Sequence, residues 1–146
     1  MSIREQIAQN IVAVLKTIED PALVLITREP FVVQELAITQ FPAVLVQIQT
    51  EERNTISMGA GGIGRRMGTI TYILRGYVRG TELDTRRNDL IESIEESLDS
   101  DRYRELYDLG VTDSQVTLIE IVERQPPLAE IAITFQVKYN YLRSAT

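Results

Sequence analysis

The most conspicuous chemical pattern is a glycine-rich segment in the middle of the chain. Gly59, Gly61 and Gly64 have the spacing G-x-G-x-x-G, which dinucleotide-binding proteins use to bring backbone N–H groups against a pyrophosphate. That motif functions where a strand leads directly into a helix. Here the polar residues 50–55 precede the glycines and a strand-like stretch follows them, so we interpret the match as coincidental. A P-loop is excluded as well, because no Gly-Lys-Ser/Thr is present.

A second pattern with chemical potential is a cluster of carboxylates: Glu92, Glu95, Glu96, Asp99 and Asp101. Carboxylate metal sites in helical proteins usually add histidine, and this chain has none. We therefore predict that the cluster is a solvated helix face.

Tyr139 and Tyr141 are expected to be core or rim aromatics rather than catalytic phenols. We accordingly predict no catalytic residue, no cofactor-binding residue and no metal ligand.

Two absent residue types exclude most other chemistry. The 146 residues include no Cys, which excludes thiolate nucleophiles, disulfides and cysteine metal sites, and no His, which excludes Ser-His-Asp triads and imidazole ligands. Catalysis by carboxylates, Lys, Tyr or Arg, or no catalysis at all, is what remains.

The charge distribution is uneven. The net charge is −6, and residues 82–108 alone contain ten acidic residues against four Arg. No basic stripe is available to neutralise phosphates, which argues against general nucleic-acid binding. The basic residues are almost all Arg, the exceptions being Lys16 and Lys138. Either intersubunit pairing by Arg or a GC-rich coding sequence explains this bias.

The hydrophobic periodicity predicts the elements that hold these residues. Ile3, Ile7 and Ile11 begin an amphipathic helix with Ser2 as its N-cap, and Pro21 ends it. The remaining predicted elements are a strand over 23–27, strands over 43–49 and 69–79, a helix over 84–98, and strands over 116–122 and 131–141.

This order of elements predicts an α+β fold. Neighbouring strands outnumber the helices, so the helices cannot be crossovers of a parallel sheet. We expect one domain over 1–146, with two helices on one face of an antiparallel (mixed) sheet. No signal peptide or membrane span is predicted, so we expect a soluble protein made in a cytoplasm.

The stretch 51–68 is predicted to be a long glycine-rich loop between two strands, far longer than ordinary hairpin loops. We expect it to be an assembly arm, separable from the fold, that contacts other proteins. The alternative is a passive surface loop. The residues expected to make its contacts are Gly59, Gly61, Gly62, Gly64, Arg65 and Arg66.

The layout resembles the tail terminator (tail completion) proteins of long-tailed bacteriophages across nearly the whole chain. The resemblance is one of pattern, since the family has no invariant catalytic motif. The matching pieces, in order, are the Ile3, Ile7 and Ile11 helix, the proline-led strand 41–46, the long loop, the strand 75–79, the acidic helix 89–98 and the alternating strand 131–141.

The resemblance implies a non-enzymatic virion protein that needs no cofactor. Such proteins form a ring, typically a homohexamer, that caps the tail tube, stops its polymerisation and joins the head. The implied partners are other copies of the chain, the tail tube protein, the sheath where one exists and a neck or connector protein. DNA would pass through without specific recognition, and no membrane is involved. Candidate intersubunit charge contacts are Arg75, Arg79, Glu92, Glu95 and Glu96.

Three further interpretations stay open. Another neck or connector protein would share this layout. In a different class, a small cellular binding or regulatory domain would capture an anionic ligand through the glycine-rich loop and Arg65-Arg66. A small enzyme that uses Tyr and carboxylates is a third class.

Overall fold

A computed structural model describes residues 2–58 and 64–142 of the chain. Its order of elements is helix, strand, two long strands, helix and two more strands. The elements are α1 (Ile3–Leu15), β1 (Leu25–Thr27), β2 (Ala43–Met58), β3 (Gly64–Arg79), α2 (Leu83–Asp99), β4 (Val111–Val122) and β5 (Leu128–Leu142).

The five strands form one mixed sheet in the order β1-β2-β3-β5-β4. β1 pairs parallel with β2, and all other pairs are antiparallel. The expected α+β class is thus confirmed. The two long central strands, β3 and β5, pair along their whole length, from Arg65 opposite Leu142 to Arg79 opposite Leu128.

The main core lies between the two helices and one face of the sheet, which we call the helix face. Ser2 caps α1 as expected, because its hydroxyl accepts the N–H of Glu5 at 3.1 Å. Each helix buries one apolar stripe against the sheet, as the periodicity predicted. The fully buried side chains include Ile7, Ile11 and Leu15 from α1, Leu90, Ile94 and Leu98 from α2, and Leu74, Ile131, Ile133 and Phe135 from the sheet.

The opposite face of the sheet is covered only at one end. Residues 28–42 cross it there and form a second, smaller core around Val33, Leu45 and Tyr77. The Phe31 and Tyr77 rings meet edge to face, with centroids 5.5 Å apart. This cover lies over Tyr77, whereas Ile73, on the same face of the strand, is half-buried.

The predicted loop over 51–68 is mostly strand, so its boundaries were wrong. β2 continues through Met58 and β3 begins at Gly64, and these two residues pair. The polar composition concealed the strands, because residues 50–55 lack the apolar alternation by which strands are detected. Of this stretch, only 59–63 lies outside the described residues.

The strands β2 and β4 contain bulges that change which side chains face the helices. In β2, Ile48 pairs with Tyr72 but Thr50 pairs with Thr71, which leaves Gln49 as the extra residue. In β4, Val116 pairs with Phe135 but Leu118 pairs with Thr134, so Thr117 is extra. Because strand side chains alternate, each extra residue exchanges the two faces beyond it.

Candidate interaction surfaces

Both outer strands of the sheet leave backbone groups free to pair. In the described part of the chain β4 pairs with β5 alone, so no strand covers its outer edge, although the N–H of its first residue, Val111, donates to the Leu106 carbonyl at 3.2 Å. On the other side β1 covers only Ala43, Val44 and Leu45 of β2. The outer edge of β2 is therefore open from Val46 onward within the same described residues. Open edges of this kind are templates for pairing with another strand.

The β4 edge also exposes large apolar side chains. Leu118, Ile119 and Ile121 are 51%, 36% and 49% exposed. Beyond the bulge at Thr117, Ile119 and Ile121 lie opposite Ile133 and Ile131 and so face the helix side, whereas Leu118 faces the other side. Natural edge strands usually carry charges or prolines that prevent pairing; this one carries Asp113 and Glu120 but also presents three large apolar side chains.

The open edge of β2 borders a cleft of about 670 Å³ between this strand and the start of α1. Val46, Gln47 and Ile48 form its strand side, and Ile48 is 53% exposed. On the helix side, Arg28 donates two hydrogen bonds to the Glu5 carboxylate, at 2.7 and 3.0 Å. These hydrogen bonds lower the pKa of Glu5, so the pair that lines this side of the cleft stays charged.

A polar cluster fixes the root of the β2–β3 hairpin. The Glu51 carboxylate accepts hydrogen bonds from Arg4 Nε, from Arg53 Nε at 2.8 Å and from the Tyr139 hydroxyl at 2.9 Å. The Tyr139 ring lies over Gly68, where a Cβ would come within 2.4 Å of ring atoms. Tyr139 therefore reaches from β5 across β3 to β2, and the cluster joins three strands to α1. We call these residues the root cluster.

The electrostatic environment of the root cluster keeps the Glu51 carboxylate ionised and the Tyr139 hydroxyl protonated. Burial by itself would raise the pKa of Glu51, but hydrogen bonds from Arg4, Arg53 and Tyr139 outweigh this and lower it below the ordinary 4.5. Burial, together with the bond to Glu51, raises the pKa of Tyr139 to about 12. Neither group is poised to exchange a proton near neutral pH, which fits a structural role.

A second buried carboxylate lies on the opposite face of the sheet. The Glu130 side chain is 3% exposed and pairs with Arg124 at 2.8 Å and with Arg75 at 3.4 Å. The Arg124 guanidinium also lies 5.7 Å from the centre of the Tyr77 ring. Arg75, expected to pair between subunits, thus already has a partner within the chain.

The other residues predicted for assembly are spread over two regions. Gly59, Gly61 and Gly62 lie outside the described residues, whereas Gly64, Arg65 and Arg66 belong to the outer end of β3. On α2, Glu92 and Glu96 are exposed and Glu95 is half-buried, as an outward helix face requires. Arg79 lines a cleft of about 300 Å³ at the far end of β3. Their roles in assembly remain predictions.

Three features of the structure could not be recognised from the sequence. Ile119 and Ile121 looked like ordinary strand residues, because nothing local indicated that their strand is an edge. The contacts of Glu51 join residues far apart in sequence, so spacing could not reveal them. Arg104 was also unremarkable, yet it is fully buried and donates to the carbonyls of Leu98 and Asp101 at the end of α2.

The described residues offer neither a grouped metal site nor a helix suited to crossing a membrane. In that part of the chain no three His, Cys, Asp or Glu side chains are grouped so that they could hold a metal ion. None of the described helices is both long enough and apolar enough to cross a membrane.

Comparison with known proteins was made at three levels. No family model matches the chain, and no curated protein matches its sequence. Among solved structures, it is similar to a chain of the "Virion of native gene transfer agent (GTA) particle", with a TM-score of 0.45 and 8% identity over 96% of each chain. The function therefore has to be derived from the surfaces of this chain.

Proposed function

We propose that this chain is the tail terminator of a long-tailed bacteriophage. In this role it forms a ring, a homohexamer, that caps the tail tube, stops its polymerisation and offers the head a joining face. The protein acts by assembly rather than by catalysis and needs no cofactor. It belongs to the virion and is assembled in the host cytoplasm.

The observation that carries this proposal is the pair of open sheet edges on opposite sides of one small fold. A ring requires two different complementary surfaces on each copy, because each subunit contacts one neighbour with each. Open edges at β2 and β4 supply two such surfaces, and β4 adds the exposed Leu118, Ile119 and Ile121.

The hairpin supplies a third surface, directed away from the body. Its strands continue beyond the root cluster to the pair Met58 and Gly64. The root cluster holds this extension at a defined angle to α1, so that it can contact the tube or a neck protein. The predicted contact residues at its outer end, Arg65 and Arg66, suit carboxylates on such a partner.

The charge distribution agrees with a DNA-conducting ring. The chain has net charge −6, and the excess lies on α2 and the segment after it. An acidic ring does not retain passing phosphates.

Native mass spectrometry of the purified chain tests the ring. We expect a closed hexamer of the 16.5-kDa chain. A protein that remains a monomer or a dimer at high concentration and together with tail tube protein would contradict the proposal. A monomer that binds a small anion would support the cellular binding domain instead.

Shortening the hairpin tests the arm. Asn54 and Met67 pair directly, so replacing 55–66 with Asn-Gly leaves the root cluster intact and closes the strands with a tight turn. We expect normal melting together with overlong or headless tails in electron micrographs. Tails of normal length would show that the arm is passive.

A further inference from the structure

We propose that, within the ring, β4 of one copy adds to the outer edge of β2 of the next copy, so that the sheets of neighbouring subunits continue into one another. This inference rests on the proposed ring and names the surfaces that close it. The occupant of each edge is therefore a second copy of this chain.

Strand direction permits this pairing. β3 runs opposite to β2, β5 opposite to β3, and β4 opposite to β5, so β4 is antiparallel to β2. In a ring whose axis lies roughly along the strands, every copy keeps the same orientation. The β4 of one copy then meets the β2 of its neighbour in the antiparallel sense, which is the more stable pairing.

The exposed apolar residues lie on matching faces. Ile48 on β2 shares the helix face with Val44 and Val46, and beyond its bulge β4 presents Ile119 and Ile121 on that same face. In the single chain all three isoleucines are exposed, between 36% and 53%. Joining the edges buries them together, which removes apolar surface from water on both copies.

The register follows from β1. Within the sheet Ile121 is in line with Val44, and Ile119 is in line with Val46. Because β1 already occupies the edge at Val44, the incoming β4 must shift toward the hairpin. A shift of two residues places Ile121 opposite Val46 and Ile119 opposite Ile48, at the cleft that borders these residues. A closed sheet requires such a stagger between neighbours.

The competing arrangement is a pair of β4 strands related by a two-fold axis. That contact would also bury Ile119 and Ile121, but it stops at a dimer. It leaves Ile48 and the β2 edge uncovered. The exposed isoleucine at the β2 edge therefore favours the head-to-tail pairing.

Disulfide crosslinking tests this register directly, because the chain contains no cysteine of its own. Residues directly opposite each other in an antiparallel pair have Cα atoms about 4.5–5.5 Å apart, which a disulfide can span. We would mix the single variants Ile48→Cys and Ile119→Cys, oxidise them and identify the products. Val32→Cys mixed with Ile119→Cys is the matched control, since Val32 is 54% exposed and belongs to the segment 28–42 rather than to β2 or β4.

The expected result is a crosslinked pair of twice 16.5 kDa from the 48–119 mixture and none from either variant alone or from the control. Crosslinked dimers from Ile119→Cys alone would indicate β4 against β4 and would overturn the proposal. A mixture that forms rings without the 48–119 crosslink would overturn this pairing and leave the ring intact. Chains that stay single throughout would overturn both proposals.

A blocking variant gives an independent measurement. Ile119→Lys places a charge on the edge at an exposed position, so the fold should be unaffected. We expect it to lose ring assembly in native mass spectra while its melting temperature is unchanged, and Val32→Lys to assemble normally. Normal ring assembly by Ile119→Lys would overturn the edge pairing.

Discussion

Gly76 and Gly68 lie on the same strand and face the helix side, yet the sheet is stabilised differently around each. At Gly76, where α2 crosses, Leu90 and Ile131 fill the space that a Cβ would need. At Gly68, where the hairpin leaves the body, the Tyr139 ring fills it, and its hydroxyl continues to the Glu51 carboxylate. One end of the sheet is held by apolar packing and the other by directed hydrogen bonds.

The two ends differ in whether their interactions can set the orientation of neighbouring elements. Apolar burial contributes most of the free energy of folding, but it is non-directional. It therefore holds α2 on the sheet without fixing the orientation of other elements. The hydrogen bonds to Glu51 have defined geometry, and they connect α1, β2 and β5. We infer that the apolar packing of α2 on the sheet supplies most of the stability and that the root cluster fixes the angle of the hairpin.

The largest effect on stability is expected in the apolar core between the helices and the sheet. Ile94→Ala or Phe135→Ala should lower the free energy of unfolding by about 2–5 kcal/mol, because both side chains are fully buried and truncation leaves a cavity. Denaturant titration measures the change. If both variants unfold like the parent, the apolar end does not dominate stability.

A smaller loss is expected when the charge of the root cluster is removed. Glu51→Gln keeps the shape but weakens the bonds from Arg4, Arg53 and Tyr139, so it should cost about 1.5–3 kcal/mol. The exposed neighbour Glu52→Gln is the control and should change stability by less than about 0.5 kcal/mol. Equal effects of the two substitutions would mean that the cluster contributes no more than a surface charge.

The two glycines allow a matched comparison. Gly68→Ala should cost about 1–3 kcal/mol, because the new Cβ would overlap the Tyr139 ring and disturb its bond to Glu51. Gly76→Ala meets chiefly the flexible end of Leu90, at 2.8 Å, so its cost should be lower. Thermal melting of both variants ranks them, and the reverse order would indicate that the Tyr139 ring moves freely.

The smallest expected effect is a pH dependence that belongs to one end of the sheet. The pKa of Glu51 is lower in the folded chain than in the unfolded one, so its stabilising contribution is present above the unfolded value, about 4.3. It is lost as the pH falls through the folded pKa. Between pH 5 and pH 3 the parent should therefore lose more stability than Glu51→Gln. Identical slopes for the two proteins would contradict the assignment.

Much of the fold follows from periodicity, because the apolar stripes of α1 and α2 and the alternation in β3 and β5 are local signals. The outer halves of β2 and β3 do not follow from it, since polar residues and glycines predominate there and no apolar alternation marks a strand. The parallel pairing of β1 with β2 depends on a long connection that no local pattern encodes.

The interaction surfaces were predictable only in part. The outward acidic face of α2 followed from helical spacing, and Glu92 and Glu96 are exposed as expected. Predicting that Ile119 belongs to an interaction surface requires knowing which strand lies at the edge of the sheet. Predicting the contacts of Glu51 requires the positions of Arg4 and Tyr139, which approach it only after the chain has folded.

The extra residue at Gln49 has a consequence for how this protein can evolve. It sets the phase of the strand beyond it, so that Glu51 rather than Thr50 or Glu52 faces α1. Deleting that one residue would remove the bulge and restore regular pairing, so Thr50, Glu51 and the residues beyond them would keep the faces that they have now. Because a bulge bends its strand and increases its twist, loss of this single residue, without any substitution, is thus a route by which the hairpin could point in a new direction and meet a new partner with the same two faces.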